Sequence, residues 1–148
     1  MTVRVQVEDF DAGAEVQALR LARPDIGAVV SFIGQVRDIN DGSSVSAMHL
    51  EHYSGMTEKS LEAITQQAKL RWDIVEVLVI HRVGDLNPSD QIVMVAVSSA
   101  HRKEAFMACE FVMDYLKTEA PFWKKEQTTA GARWVDAKAT DDAAKERW

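Results

Sequence analysis

The stretch YLKTEAPFWKKE, Tyr115–Glu126, changes its period halfway. Upstream, Ala105, Cys109, Val112 and Leu116 recur at helical spacing, with Phe106 and Met113 widening the apolar stripe. This predicts a long helix from about His101 to Leu116, with Ser99 as its cap. Pro121 forbids continuation and biases the residue before it away from helical angles, so the helix ends by Glu119 or Ala120. FWKKEQT then reads as a strand whose alternate side chains face opposite ways, Lys124 and Glu126 to one side, Trp123 and Lys125 to the other.

Working outward from this corner gives strands mixed with helices. TVRVQVE alternates Val3, Val5 and Val7 with polar residues, as a half-buried strand does; a helix capped by Asp11 follows and is stopped by RPDIG, Arg23–Gly27. The run AVVSFIGQV, Ala28–Val36, is short and β-branched and reads as a buried strand that leaves Arg37 at its end. DINDGSS, residues 38–44, carries the turn pair Asp41-Gly42 and reads as an exposed, mobile loop able to act as a lid. VSAMHLEHY is a strand, and SGMTEKSLEAITQQAKLRW an amphipathic helix with Leu61, Ile64, Ala68 and Trp72 on one face. IVEVLVIHRV and QIVMVAVSS should pair as an antiparallel hairpin across the turn GDLNPSD. FWKKEQT and ARWVDA read as two short strands around Gly131, and TDDAAKERW as a short last helix. Mostly antiparallel strands without a βαβ rhythm make the expected class α+β, in a single domain over residues 1–148.

Bulk properties narrow the function. The 148 residues are 47% hydrophobic and 27% charged, enough for a globular core, and a formal net charge of -6 argues against a general nucleic-acid binder. Any anion site must therefore be local. MTVRVQVEDF lacks the apolar core of a signal peptide and no run approaches the roughly 18 apolar residues of a membrane span, so a cytoplasmic location is expected. The single cysteine, Cys109, excludes an internal disulfide and lies in the apolar helix stripe, where it reads as a small buried hydrophobe. His49 and His52 face opposite sides of a strand and His81 lies elsewhere, so neither a metal site nor a cofactor is expected. There is no Gly-rich phosphate loop and no serine elbow.

Two basic groups stand out in this acidic chain. Lys117, in the last helical turn, and Lys124, on the following strand, can meet at the corner. Two ammoniums held close are costly unless an anion lies between them, and each lowers the other's pKa, which suits a proton acceptor or nucleophile. The plainer alternative is that Lys117 offsets the helix dipole while the other lysines are solvated. At the far end His101 and Arg102 add an imidazole and a guanidinium to the free N–H groups of a helix start, a combination suited to phosphate, and Arg37 at its strand end has similar standing. Some sixteen helical residues, roughly 24 Å, separate His101 from Lys117. A small ligand cannot reach both within one chain. If both serve one anionic substrate, the helix start must come from a second subunit of a two-fold dimer.

Five segments taken together carry a resemblance: GQVRD (Gly34–Asp38), LEHYSGMTEKSL (Leu50–Leu61), IHRVGDL (Ile80–Leu86), SSAHRKEAF (Ser98–Phe106) and MDYLKTEAPFWKKE (Met113–Glu126). In this order, over nearly the whole chain, they closely resemble the MoaE family, the large, catalytic subunit of molybdopterin synthase. APFWK is the most distinctive piece. The resemblance implies the α/β-hammerhead variety of α+β fold and a homodimer within a heterotetramer, each large subunit binding a small ubiquitin-like sulfur carrier. It further implies that the carrier's C-terminal Gly-Gly thiocarboxylate donates sulfur twice to cyclic pyranopterin monophosphate, building the dithiolene of molybdopterin and opening the cyclic phosphate. This chain ends KERW rather than Gly-Gly, as expected for the acceptor of the carrier and not the carrier itself.

By the same resemblance Lys117 and Lys124 are active-site lysines that contact the carrier terminus and assist proton transfer, stabilise an intermediate, or form a covalent one. Arg37, His101 and Arg102 match the pterin-phosphate pocket, the last two supplied by the partner subunit. Gln35, Val36, Lys125 and Glu126 match flanking substrate contacts. Gln35 stands where some relatives carry lysine, and Lys138 where a relative has arginine. Phe122 and Trp123 either wall the pocket or belong to the core. Two other readings stay open: a dimeric anion-binding adaptor without turnover, and a carrier-independent hydrolase of a cyclic phosphate with His101 as general acid or base.

Overall fold

The computed structural model describes residues 2–40, 42–135 and 139–148. In chain order the elements are β1 (Thr2–Gln6), α1 (Ala12–Arg20), β2 (Ala28–Gln35), β3 (Ile39–Asn40), β4 (Ser43–His52), α2 (Met56–Arg71), β5 (Glu76–Arg82), β6 (Gly84–Leu86), β7 (Gln91–Ser99), α3 (Arg102–Glu119), β8 (Phe122–Thr128), β9 (Gly131–Val135) and α4 (Ala139–Glu146). The fold is α+β, as the sequence predicts. β1 runs parallel to β5, and the other paired strands are antiparallel. Among the described residues no helix is long and apolar enough to cross a membrane.

A four-stranded sheet, ordered β1-β5-β7-β2, forms the middle layer. Its central strands come from the two most continuous apolar runs, because both of their faces are covered. Val77, Val79, Val93, Val95 and Val97 pack with Leu61, Ile64 and Ala68 of α2 and with Phe111, Val112 and Leu116 of α3. The alternate residues Leu78, Ile80, Met94 and Ala96 pack with Phe10, Val16 and Leu19 on the α1 side. Fully buried Leu61 and Phe111 each contribute about 2–3 kcal/mol through the apolar surface they remove from water.

β2 corrects an expectation. It is the edge strand of this sheet, and Phe32 and Ile33 remain 41% and 39% exposed, where a buried strand was predicted. A β-branched run looks the same at an edge as in a centre, since its position depends on pairing that the local pattern does not encode.

The second sheet, ordered β3-β4-β8-β9, takes β6 as an additional partner of β4. The predicted hairpin of β5 with β7 forms, but the connector GDLNPSD does more than turn: its Gly84–Leu86 segment pairs with Met48–Leu50. The described residues of the stretch 38–44 are likewise not a free loop. Ile39 and Asn40 pair with Ser44 and Ser43, Gly42 takes φ 76°, and Asn40 is buried. Asp41, Lys138 and the last two residues of ARWVDA, 136 and 137, lie outside the described residues.

α3 ends at Glu119, as Pro121 requires, and its first residue is Arg102, with His101 at the cap position and no side-chain cap bond. Ser99 does not cap it. Its hydroxyl donates to the Asp73 carbonyl at 2.9 Å and accepts the His101 N–H at 3.3 Å, which fixes the approach to the helix. Gly27 is required at the same place: a Cβ there would lie 2.2 Å from the Ala100 carbonyl oxygen.

Candidate active site

The α3-to-β8 corner opens on a cavity of about 450 Å³, lined from both sheets and from the end of α3. Three cations reach it from three elements: Arg37 just past β2, Lys117 in the last turn of α3 and Lys124 on β8. Gln35 joins them at the end of β2, and Met48, Leu50, Ile92, Val93 and Leu116 supply apolar wall. Among the described residues of the wall, the three cations outnumber the two carboxylates, Glu126 and Asp141, and so favour an anion in the cavity.

Strand alternation on β8 decides which side chains enter. Lys124 and Glu126 line the cavity together, whereas Lys125 lies on the other side of the strand, its Nζ 5.7 Å from the ring centroid of Trp134. The Glu126 carboxylate is almost wholly buried and is met from three directions. Asn40 Nδ2 donates to Oε1 at 2.8 Å, Lys124 Nζ lies 3.6 Å from Oε1, and Arg133 Nη2 lies 3.5 Å from Oε2 while also donating to the Asn40 carbonyl at 2.9 Å. One carboxylate therefore ties the β3–β4 hairpin, β8 and β9 around Lys124.

Val36 and Lys125 depart from the expected substrate contacts. The Val36 side chain is buried in a cluster with Met48, Leu50, Val83 and Leu86, and neither residue lines the cavity. His101 and Arg102 are exposed at the opposite end of α3 and do not line it either, as the helix length requires. Phe122 is a cavity wall, and Trp123 stays half-exposed on the outer face.

His81, Asn40 and Asp141 line the cavity without having been singled out in the sequence. His81 was readable in part: an imidazole at the end of an otherwise apolar strand needs a reason to be there. It is 6% exposed, its ring stacks on Phe122 with centroids 3.8 Å apart, and its Nδ1 donates to the Arg82 carbonyl at 2.8 Å. Burial, and secondarily the charges of Lys117 and His52, push its pKa down to about 4, although the Arg82 bond opposes this. At neutral pH it is an uncharged imidazole.

Cys109 is buried, with Sγ 3.8 Å from the Val95 carbonyl oxygen, and burial aided by Glu110 pushes its thiol up to about 12. It is a packing group, not a sulfur relay. Among the described residues no group of three or more His, Cys, Asp or Glu side chains is placed to hold a metal ion.

A profile of the MoaE protein family matches residues 5–119. The molybdopterin synthase catalytic subunit of Ralstonia nicotianae is 69% identical over 147 residues, covering 99% of this chain and 84% of its own length. A MoaE protein of molybdopterin biosynthesis from Burkholderia ambifaria superposes with TM-score 0.85 at 61% identity, over 99% of this chain and 97% of that one. Molybdopterin synthase from Staphylococcus aureus superposes with TM-score 0.81 at 33% identity, over 89% and 95% of the two chains. The family match over residues 5–119, together with these identities and superpositions over nearly the whole chain, shows that the chain belongs to the MoaE family.

Proposed function

We propose that the cavity at the α3–β8 corner is the sulfur-transfer site of a molybdopterin synthase, acting in molybdenum cofactor biosynthesis. The observation that carries this reading is the convergence of Lys117, Lys124 and Arg37 on one cavity, with Glu126 buried behind Lys124. The donor is the C-terminal Gly-Gly thiocarboxylate of a small ubiquitin-like carrier, and the acceptor is cyclic pyranopterin monophosphate. Both are anionic, which gives the cationic rim its purpose in a chain of net charge -6.

In this reading Lys117 and Lys124 receive the carrier terminus, stabilise charge that develops during each transfer and move protons, and Arg37 takes up substrate phosphate. His101 and Arg102 complete the phosphate pocket from the second subunit of a homodimer, since α3 is a rod of 18 residues, about 27 Å, and holds them away from Lys117 in the same chain. Glu126 holds Lys124 in place rather than meeting substrate first.

The test is product formation from cyclic pyranopterin monophosphate, followed by mass spectrometry, with thiocarboxylated carrier and with the same carrier ending in an ordinary carboxylate. A dithiolene product with the thiocarboxylate alone is expected. Carrier binding without any product would instead favour an adaptor, and phosphate opening without carrier a hydrolase.

A further inference from the structure

His81 follows Val77 and Val79 on the face of β5 that packs towards α3, one strand-repeat beyond the core. The apolar cluster gives way there to the cavity, and the residue is kept in place by two fixed contacts: the stack on Phe122, which joins β5 to β8 across the two sheets, and the bond from Nδ1 to the Arg82 carbonyl. That bond assigns the tautomer. With the proton on Nδ1, Nε2 carries a lone pair, and it has no hydrogen-bond partner among the described residues. A side chain more than nine-tenths buried thus brings an unused acceptor to a cavity wall.

Acceptors are few on the rest of the wall: Asn40 Oδ1 is buried without a partner, and Asp141 adds a carboxylate. Arg37, Lys117 and Lys124 donate hydrogen bonds and cannot accept them. Both oxygens of Glu126 are already engaged by Asn40, Lys124 and Arg133. A substrate that offers only phosphate oxygens would be served by the cations alone. A pterin also presents ring N–H and amino donors, and these need an acceptor once water is displaced.

We infer that His81 is a specificity-determining residue of this site, its Nε2 accepting a hydrogen bond from an N–H donor of the bound pterin. The inference rests on the sulfur-transferase reading above. Because the imidazole is neutral at the pH of the reaction, it accepts without adding to the positive charge of the rim. The backbone N–H groups of the carrier's terminal glycines are the other donors able to enter, and the test separates them.

His81→Asn and His81→Gln divide the two ring nitrogens. Asparagine places an amide N–H near Nδ1 and keeps the Arg82 bond, but has nothing at Nε2; glutamine places its carbonyl oxygen near Nε2 and gives up the Arg82 bond. With the wild-type protein and thiocarboxylated carrier as reference, His81→Asn should raise KM for cyclic pyranopterin monophosphate about tenfold and leave KM for the carrier within about twofold. His81→Gln should bring the pterin KM back to within about threefold of wild type. Independently of any substitution, the ¹⁵N resonance of His81 Nε2 in wild-type protein should shift on adding the pterin in the presence of non-reactive carboxylate carrier, and not on adding that carrier alone.

An unchanged pterin KM in folded His81→Asn, or an unmoved Nε2 resonance at pterin saturation, overturns the inference. A rise confined to the carrier KM also overturns it and gives the acceptor to the carrier tail. The KM outcomes require a wild-type enzyme that turns over, whereas the resonance reads binding alone; a wild type that makes no product from thiocarboxylated carrier would refute the functional reading itself.

Discussion

Lys124 Nζ stands 3.6 Å from Oε1 of Glu126, whose side chain is only 2% exposed. The two residues are one strand-repeat apart on β8, so alternation alone turns both towards the cavity. Burial makes the pair consequential. Removing the carboxylate in Glu126→Ala leaves Lys124 and Arg133 without their shared anion and Asn40 Nδ2 without its acceptor. A loss of about 3 kcal/mol is expected in urea unfolding, together with at least about a tenfold fall in kcat. A variant that melts like wild type would show the carboxylate to be dispensable to the hairpin and to Lys124.

The separation of His101 from Lys117 along α3 makes a prediction about subunits. His101→Ala and Lys117→Ala homodimers should each be nearly inactive. Mixed under conditions of proven subunit exchange, they should regain about a quarter of wild-type activity, because about half the dimers are then mixed and each carries one intact site of two. No recovery would place both groups' functions within single chains or deny His101 a role.

His81 predicts a pH dependence of stability. Its pKa is about 4 in the folded chain, chiefly because burial disfavours the charged ring, against 6.5 for an unperturbed histidine. Between those values the unfolded chain binds more protons than the folded one, so stability falls as pH is lowered from about 6.5 towards about 4. The contribution at stake is about 3 kcal/mol at most. Urea unfolding at a series of pH values should show this slope in wild type and a flatter one in His81→Asn; equal slopes would mean that the ring is solvated.

Cys109 offers a control. Its thiol, pushed up to about 12, should react with alkylating reagents at neutral pH at least about a hundredfold more slowly than a free cysteine. Cys109→Ala should keep carrier-dependent activity within about twofold and lose about 1 kcal/mol of stability. Loss of activity with stability retained would bring this sulfur into the reaction.

Much of this was legible from local pattern. The end of α3 follows from Pro121, the split of Lys124 from Lys125 from strand alternation, and the burial of Cys109 from helical periodicity. What was hidden depends on which strands become neighbours. The edge position of β2 and the pairing of β6 with β4 are tertiary choices, each invisible in a window of ten residues, whereas the pairing of Ile39 and Asn40 with Ser44 and Ser43 is local and accords with the turn pair Asp41-Gly42. The same holds for the site. Nothing near Asn40 announces a cavity, and the imidazole at the end of the apolar β5 run hints at one without placing it; β3 and β5 deliver the two residues to it from 86 and 41 residues before Glu126 and Phe122 respectively.

The sharpest test concerns Lys117, an exposed residue in the last turn of α3 whose side chain lines the cavity. Product formation by Lys117→Ala should be measured at saturating thiocarboxylated carrier, alongside its melting temperature. The expected result is a fall of at least about a hundredfold in dithiolene product, with melting within a few degrees of wild type. Wild-type turnover by this variant would contradict the assignment and move the sulfur transfer away from the α3–β8 corner.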